Sequence, residues 1–339
     1  MEIKRLTPTS VRTAVEQAKR EVLIEREGKQ LGLKTNWKSL NIAVRKYFRF
    51  ASVYLLGGLS GSGKSYIANL IINDFFDKEL NKDFTDAFMV LSFSFEMASS
   101  DEVLRTASNQ VKISYNRFIN SEWDKEKKEY VGLSDEEKER SFEALDKIAN
   151  RPQLFFEHSG TTLEMIQTVD YYSKKYPDTK FVITLDHSLL TRKHNEGSDI
   201  ELVGSIGKMA LFFKKEYKAM VIIINQLNNS IESSERIRLP ALHYPIRSDL
   251  YLGNFIYFAC DLVIIVHQPA LLKIKLYGLK KIPTKNLIHL MIQKNRFGQV
   301  GSIWLINQLS KGLIVEKKSI EILDLPKDVK KDDVNFDNK

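Results

Sequence analysis

The 339-residue sequence holds a single cysteine, Cys260, which excludes an intramolecular disulfide. Set in an apolar stretch, Cys260 reads as a buried small hydrophobe. Long apolar runs are also missing. Residues 221–224 and 262–266 are examples of those present, and the longest, such as 219–224, has six residues, far short of the roughly 18 that a membrane-spanning helix needs. The amino terminus, MEIKRLTPTSVRTAV, is charged and has no apolar segment of signal-peptide length, so the expectation is a cytoplasmic protein with no membrane partner. Glycine (16) and proline (8) are sparse beside 43% hydrophobic and 28% charged residues, a composition that is neither collagenous, mucin-like nor wholly disordered. No internal repeat is present. The net charge of +8 is compatible with a polyanionic partner and equally with an ordinary solvated surface.

At about 150 residues per domain, the length allows two domains or one large α/β unit with appendages. Residues 10–27 read as a helix, with Ser10 as its cap and Val11, Val15, Ala18 and Val22 as a narrow apolar stripe. Gly28 and Gly32 then break the pattern, which sets residues 1–33 apart as a helix and joint. The stripe needs a cover, either its own domain or a neighbouring subunit. From Ser52 onward, short apolar runs (SVYLL, AFMVLSFS, LFFE, FVITLD, MVIIIN, DLVIIVH, LIHLMIQ, SIWLIN) alternate with helix-like segments near 65–80, 98–109, 134–149, 161–176 and 200–217. Nearly continuous apolar runs suit strands buried on both faces. The alternation predicts an α/β fold, a mostly parallel sheet flanked by helices, over residues 34–324. The last two runs, joined by KNRFGQVG, read as a β-hairpin at the sheet edge. Residues 325–339 are charged and poor in apolar side chains, the signature of a disordered tail.

Gly58-Leu59-Ser60-Gly61-Ser62-Gly63-Lys64-Ser65 matches G-x-x-x-x-G-K-[ST] between a predicted strand and a predicted helix, the setting of a P-loop. Its glycines let backbone N–H groups converge on phosphate oxygens, Lys64 reaches the β- and γ-phosphates, and the Ser65 hydroxyl ligates Mg²⁺. The implied ligands are ATP and Mg²⁺. Ligands of open α/β sheets collect at the carboxyl ends of the strands, where Glu96 and Asp186 stand. Asp186 suits the carboxylate that orients Mg²⁺ through its water shell, and Glu96 a general base for the attacking water. The ordinary alternatives are a strand-capping acid and a helix N-terminal acid. Gln226, at the end of VIIIN, is placed to sense the γ-phosphate. Lys294 and Arg296, two apart near the hairpin tip, project from one face if the backbone is extended, and suit a phosphate supplied by a neighbouring subunit. A solvated turn is the alternative.

Taken together, these motifs resemble the DnaB-type replicative helicases, hexameric motors with a RecA-like core. The resemblance covers Lys34 to Val315 and rests on LKTNWKSLN, GGLSGSGKS, FSFEM, YVGLSDEEKERSFEALDKI, LDHSLL, NQLNN, RSDL followed by ACDLVIIVH, and KNRFGQVGSIWL, in the family's order. It implies a ring that translocates 5′ to 3′ on single-stranded DNA and unwinds duplex during replication. The same roles follow for Lys64, Ser65, Glu96, Asp186, Gln226, Lys294 and Arg296, and the N-terminal stripe would dock on an adjacent subunit. Three departures stand out. About 30 residues precede the core, so the family's N-terminal collar, which engages primase, is not expected, and no primase or loader is implied by name. In the DNA-binding loop, the family's Arg, Glu and Gly align with Tyr251, Leu252 and either Gly253 or Asn254, which shifts phosphate contact to Arg247 or backbone N–H groups and leaves Tyr251 to stack on a base. His187 follows Asp186 where an aromatic is usual, and reads as a core substitution. Two other readings keep the P-loop: a RecA-like recombinase or regulatory ATPase that does not unwind, and a small-molecule kinase, which would need an acceptor pocket and an arginine-bearing lid.

Overall fold

In a computed structural model, residues 8–317 are described, apart from 125 and 194–196; of Asn254 only the backbone is described. The tail expected over 325–339 lies outside the described residues. Nine strands form one sheet: β1 (Ser52–Gly58), β2 (Phe88–Ser94), β3 (Gln153–Phe156), β4 (Lys180–Asp186), β5 (Met220–Gln226), β6 (Leu262–His267), β7 (Leu287–Asn295), β8 (Gly301–Gln308) and β9 (Leu313–Glu316). Their order across the sheet is β9-β8-β7-β6-β1-β5-β4-β2-β3. The six strands from β6 to β3 run parallel. β7, β8 and β9 add on antiparallel. The expected hairpin is β7–β8, but the edge belongs to β9, which covers it.

Alternation along each central strand divides the core. Val53, Leu55, Ile183, Leu185, Val221 and Ile223 face one layer, closed by α5 (Thr162–Lys175) and α6 (Asp199–Glu216). Tyr54, Leu56, Val182, Ile222 and Ile224 face the other, where Ile67, Ile71 and Phe75 of α2 (Lys64–Phe75) pack. Two-sided burial explains why these strands read as unbroken apolar runs. Cys260 is fully buried, and burial pushes its thiol up to about 12.

Helix starts follow their caps. Ser10 accepts from the Thr13 N–H at 3.1 Å and opens α1 (Val11–Arg26). Ser134 and Thr161 form capping boxes with Glu137 and Glu164 ahead of α4 (Asp135–Ala149) and α5. No residue of α1 is buried; Val11 is 80% and Val22 56% exposed. Its far end is held by Glu25, which accepts from the Tyr47 hydroxyl at 2.6 Å and pairs with Arg49. Among the described residues no helix is long and apolar enough to cross a membrane.

One polar knot pins the layers together. Asp261, just ahead of β6, accepts from the Val53 N–H at 2.9 Å and from Lys214 Nζ of α6 at 2.7 and 2.8 Å, and pairs with Arg296 at 3.1 Å. Asp261 and Lys214 are both largely buried. Removing one member leaves the other charged and desolvated. Asp261→Ala is therefore expected to lower unfolding free energy by about 3–5 kcal/mol in urea titration; a loss below about 1 kcal/mol would mean that solvent screens the cluster.

Candidate active site

The loop after β1 has the backbone that its glycines permit. Gly61 and Gly63 take φ of +73° and +82°, left-handed values that favour glycine. A Cβ on Gly58 would lie 2.3 Å from Ser62 Oγ and 2.8 Å from the Val266 carbonyl, so the loop can close over the strand end only without a side chain there. The turn is held by the Ser62 N–H on the Leu59 carbonyl at 3.1 Å and by Gln268 Nε2 on the Ser62 carbonyl at 2.9 Å. Ser60 and Gly61 are exposed, and Lys64 and Ser65 begin α2, whose unpaired N–H groups and dipole favour an anion. Ser62 Oγ is buried with no partner. Lys64 is 6% exposed, and its Nζ donates to the Leu59 carbonyl at 3.3 Å. Burial pulls its pKa down, against the opposing charges of Glu96 and Asp186.

Strand register supplies the rest of the site. Gly58 pairs with Gln226, and Ser94 with Asp186, so β1, β5, β4 and β2 end in one row. Burial pushes the Asp186 carboxyl up to about 6, reinforced by Glu96 and opposed by a Ser65 hydrogen bond and by Lys64. Asp186 Oδ1 has no partner. Glu96 is exposed, just beyond Phe95, whose N–H bonds the Asp186 carbonyl at 2.6 Å. Glu96 shares an open cavity of about 640 Å³ with Gly61, Gly63, Lys64, Ser65 and Arg105. His187 is buried, with Nδ1 accepting from the Leu189 N–H at 3.2 Å, and burial lowers its pKa.

Among the described residues no group of three His, Cys, Asp or Glu side chains could hold a metal alone. The unmet Asp186 oxygen beside the Ser65 hydroxyl fits Mg²⁺, which keeps waters and binds through one or two carboxylates plus phosphate oxygens. Sequence reasoning missed Glu102 on α3 (Ser99–Val111): burial pushes its carboxyl up to about 7, with Asp186 adding to the shift. Nothing in its spacing separates it from a solvated helix acid. Arg105 was missed too; it lies over the Tyr115 ring at 5.5 Å in the same cavity.

The loop of Arg247, Tyr251, Gly253 and Asn254 abuts the end of β5. The Tyr251 N–H donates to the Gln226 carbonyl at 2.9 Å, and Asn225 Nδ2 to the Tyr251 carbonyl at 3.2 Å. The Tyr251 hydroxyl donates to Asp199 at 3.2 Å. Asp249, buried, organises the loop through Arg236 at 2.6 Å, Ser230 at 2.8 Å and the Ile246 N–H at 2.7 Å. Gly253 opens α7 (Gly253–Ala259) and is buried against Leu250, where a Cβ would come within 2.2 Å. Arg247 lies over the Tyr257 and Phe258 rings, at 4.2 and 5.0 Å.

Lys294 and Arg296 lie elsewhere. Lys294 belongs to β7 and pairs with Val263, which is level with Leu55. The Arg296 N–H bonds the Asp261 carbonyl, and the Asp261 N–H the Val53 carbonyl. At about 3.3 Å per residue, Arg296 stands roughly 17 Å down the strand from Gly58, on the opposite rim from its own P-loop. Both cations are engaged at one corner, although β7 ends at Asn295 and Arg296 lies in the bend that follows, so extended spacing does not account for it. Lys294 Nζ donates to the Tyr257 carbonyl at 2.6 Å, and Arg296, 53% exposed, holds Asp261.

The profile of the DnaB-like helicase C terminal domain matches residues 32–311. One solved structure, described as an ATPase domain, superposes with a TM-score of 0.74 at 16% identity, over 92% of this chain and 100% of that one. A DnaB-like replicative helicase, described with its interactions with primase, gives 0.73 at 17% identity, over 90% of this chain and 68% of that one. No curated protein sequence matches the chain. These likenesses make the fold that of RecA-like P-loop ATPase domains.

Lys64→Ala removes a desolvated cation that no counter-ion fully compensates. Calorimetric titration is expected to show affinity for Mg²⁺-ATP falling by about 10- to 100-fold, while the ligand-free protein loses no thermal stability. A drop in ligand-free stability would assign Lys64 to folding of the loop.

Proposed function

The chain belongs to the family of DnaB-like helicase C-terminal domains, and on that premise we propose that it is an ATP-driven helicase that assembles as a hexameric ring on single-stranded DNA. The observation that carries this reading is the place of its Lys294–Arg296 corner, two strands across from the P-loop strand and, for Arg296, about 17 Å down it from Gly58. An arginine side chain cannot cross that gap, so the pair serves a phosphate only when a second subunit presents one. Head-to-tail contacts of that kind close into a ring when the rotation from one subunit to the next closes, and otherwise run on as a filament.

In this reading, the Gly58, Ser60, Gly61, Ser62 and Gly63 loop cradles the phosphates, and Lys64 neutralises the β- and γ-oxygens. Ser65 and Asp186 would hold Mg²⁺, which would supply charge neutralisation to the phosphates. Glu96 accepts the proton of the attacking water. Gln226 reads the γ-phosphate and passes its state to the DNA loop, because its own carbonyl carries Tyr251. Arg247, Tyr251, Gly253 and Asn254 form that loop, with Arg247 on phosphate and Tyr251 on a base. Lys294 and Arg296 of the neighbour stabilise charge in the transition state. Translocation from 5′ to 3′ and duplex unwinding follow the family. Residues 34–324 act as the motor, and α1, with its stripe uncovered, docks on the adjacent subunit. A recombinase or regulatory ATPase that does not unwind is the competing reading. Hydrolysis with and without single-stranded DNA, alongside native mass and strand displacement, separates the two.

The shared site makes a sharp prediction. Glu96→Gln is expected to slow hydrolysis by about 10² to 10⁴ with ATP binding kept, and Arg296→Ala by about 10³ to 10⁵. Mixed rings pair an intact Glu96 with an intact Arg296, so activity returns when the two inactive proteins are combined. Free subunit exchange with no recovery would remove Arg296 from the neighbour's site. Deleting residues 1–28 is expected to yield a soluble monomer by native mass at low micromolar concentration; an undisturbed oligomer would place the stripe within its own chain.

A further inference from the structure

The far corner of the molecule contains a connection that the catalytic roles do not use. α7 begins at the DNA loop and runs back to the start of β6, so it spans the depth of the sheet between the loop and the Lys294–Arg296 corner. Its residue Tyr257 meets both. The Arg247 guanidinium lies over the ring at 4.2 Å and Lys294 Nζ over the same ring at 4.8 Å. The ring hydroxyl donates to the Gln293 carbonyl at 3.1 Å, next to Lys294 in β7. Lys294 Nζ also donates to the last-turn carbonyls of α7, Tyr257 at 2.6 Å and Phe258 at 3.4 Å, where a cation completes orphan acceptors and the helix dipole.

We propose that Tyr257 is a positioning residue that couples occupancy of the DNA loop to the trans-acting cation Lys294. This rests on the helicase reading above. In the structure described, Lys294 is withheld on α7, and it must leave the Tyr257 and Phe258 carbonyls to reach a neighbour's phosphate. A DNA phosphate attracts Arg247 away from the Tyr257 ring, and a neighbour's nucleotide attracts Lys294 away from α7. Because α7 follows directly from the loop, a loop drawn toward DNA takes α7 with it and loosens the carbonyls that hold Lys294; both ligands then favour the same displaced α7, the differential interaction that coupling requires, and each strengthens the other's binding. Two cations on one aromatic ring make that arrangement sensitive to the loss of the ring.

The test is ATP turnover with and without single-stranded oligothymidylate. Tyr257→Leu keeps an apolar side chain but removes the ring, and the ratio of the two rates is expected to fall about five-fold or more, as two cation–π contacts of ordinary strength imply. KM for ATP stays at the wild-type value, because Tyr257 touches no nucleotide. Tyr257→Phe keeps the ring and is expected to retain the wild-type ratio. A wild type stimulated by DNA, with Tyr257→Leu stimulated equally, overturns the inference alone; a wild type that DNA does not stimulate overturns the helicase reading and this inference with it. Should Tyr257→Leu fail to fold, hydrogen exchange on the wild type decides. Adding the oligonucleotide with a non-hydrolysable ATP analogue is expected to change protection in both 253–259 and 293–296, and a change confined to 253–259 overturns the coupling.

Discussion

Parallel pairing in register is the constraint on which everything else here depends. Parallel neighbours point their carboxyl ends the same way, so once Gly58 pairs with Gln226 and Ser94 with Asp186, the chain leaves four adjacent strands along one rim. The P-loop, Gln226, Asp186 and Glu96 come together for that reason. The antiparallel addition of β7 has the opposite consequence. Its far end reaches the other rim, and Lys294 and Arg296 are carried away from the nucleotide site of their own chain.

Electrostatics at the first rim are those of a site that further charges complete. Lys64 is desolvated, the Asp186 carboxyl is pushed up to about 6 by burial, and that of Glu102 to about 7. Buried polar groups are normally paired, and here Ser62 Oγ and Asp186 Oδ1 are not. Phosphate oxygens and a divalent cation are complementary to that set, the first to Lys64 and the loop N–H groups, the second to the carboxylate and the Ser65 hydroxyl. At the second rim, the cations already have partners. Asp261 holds Lys214 and Arg296, and α7 holds Lys294. Any use of Lys294 on another subunit is an exchange of one set of contacts for another, which makes it responsive to whatever moves α7.

Local chemistry is what the sequence by itself determined. Glycines at 58, 61 and 63 fit the loop because their backbone angles and close approaches are short-range properties. The strands were legible because burial on both faces writes an unbroken apolar run, and the helix starts because Ser10, Ser134 and Thr161 act within one turn of themselves. Tertiary structure alone decided which distant residues meet. Strand β9, only four residues long, has no pattern of its own and exists because β8 offers an unpaired edge. Glu102 differs from a surface acid only through what is packed over it. That Asp261 gathers Lys214 and Arg296, or that Tyr257 lies between Arg247 and Lys294, depends on strand order and register. Both are set by long-range pairing, whose free energy is a sum over many contacts and is carried by no single motif.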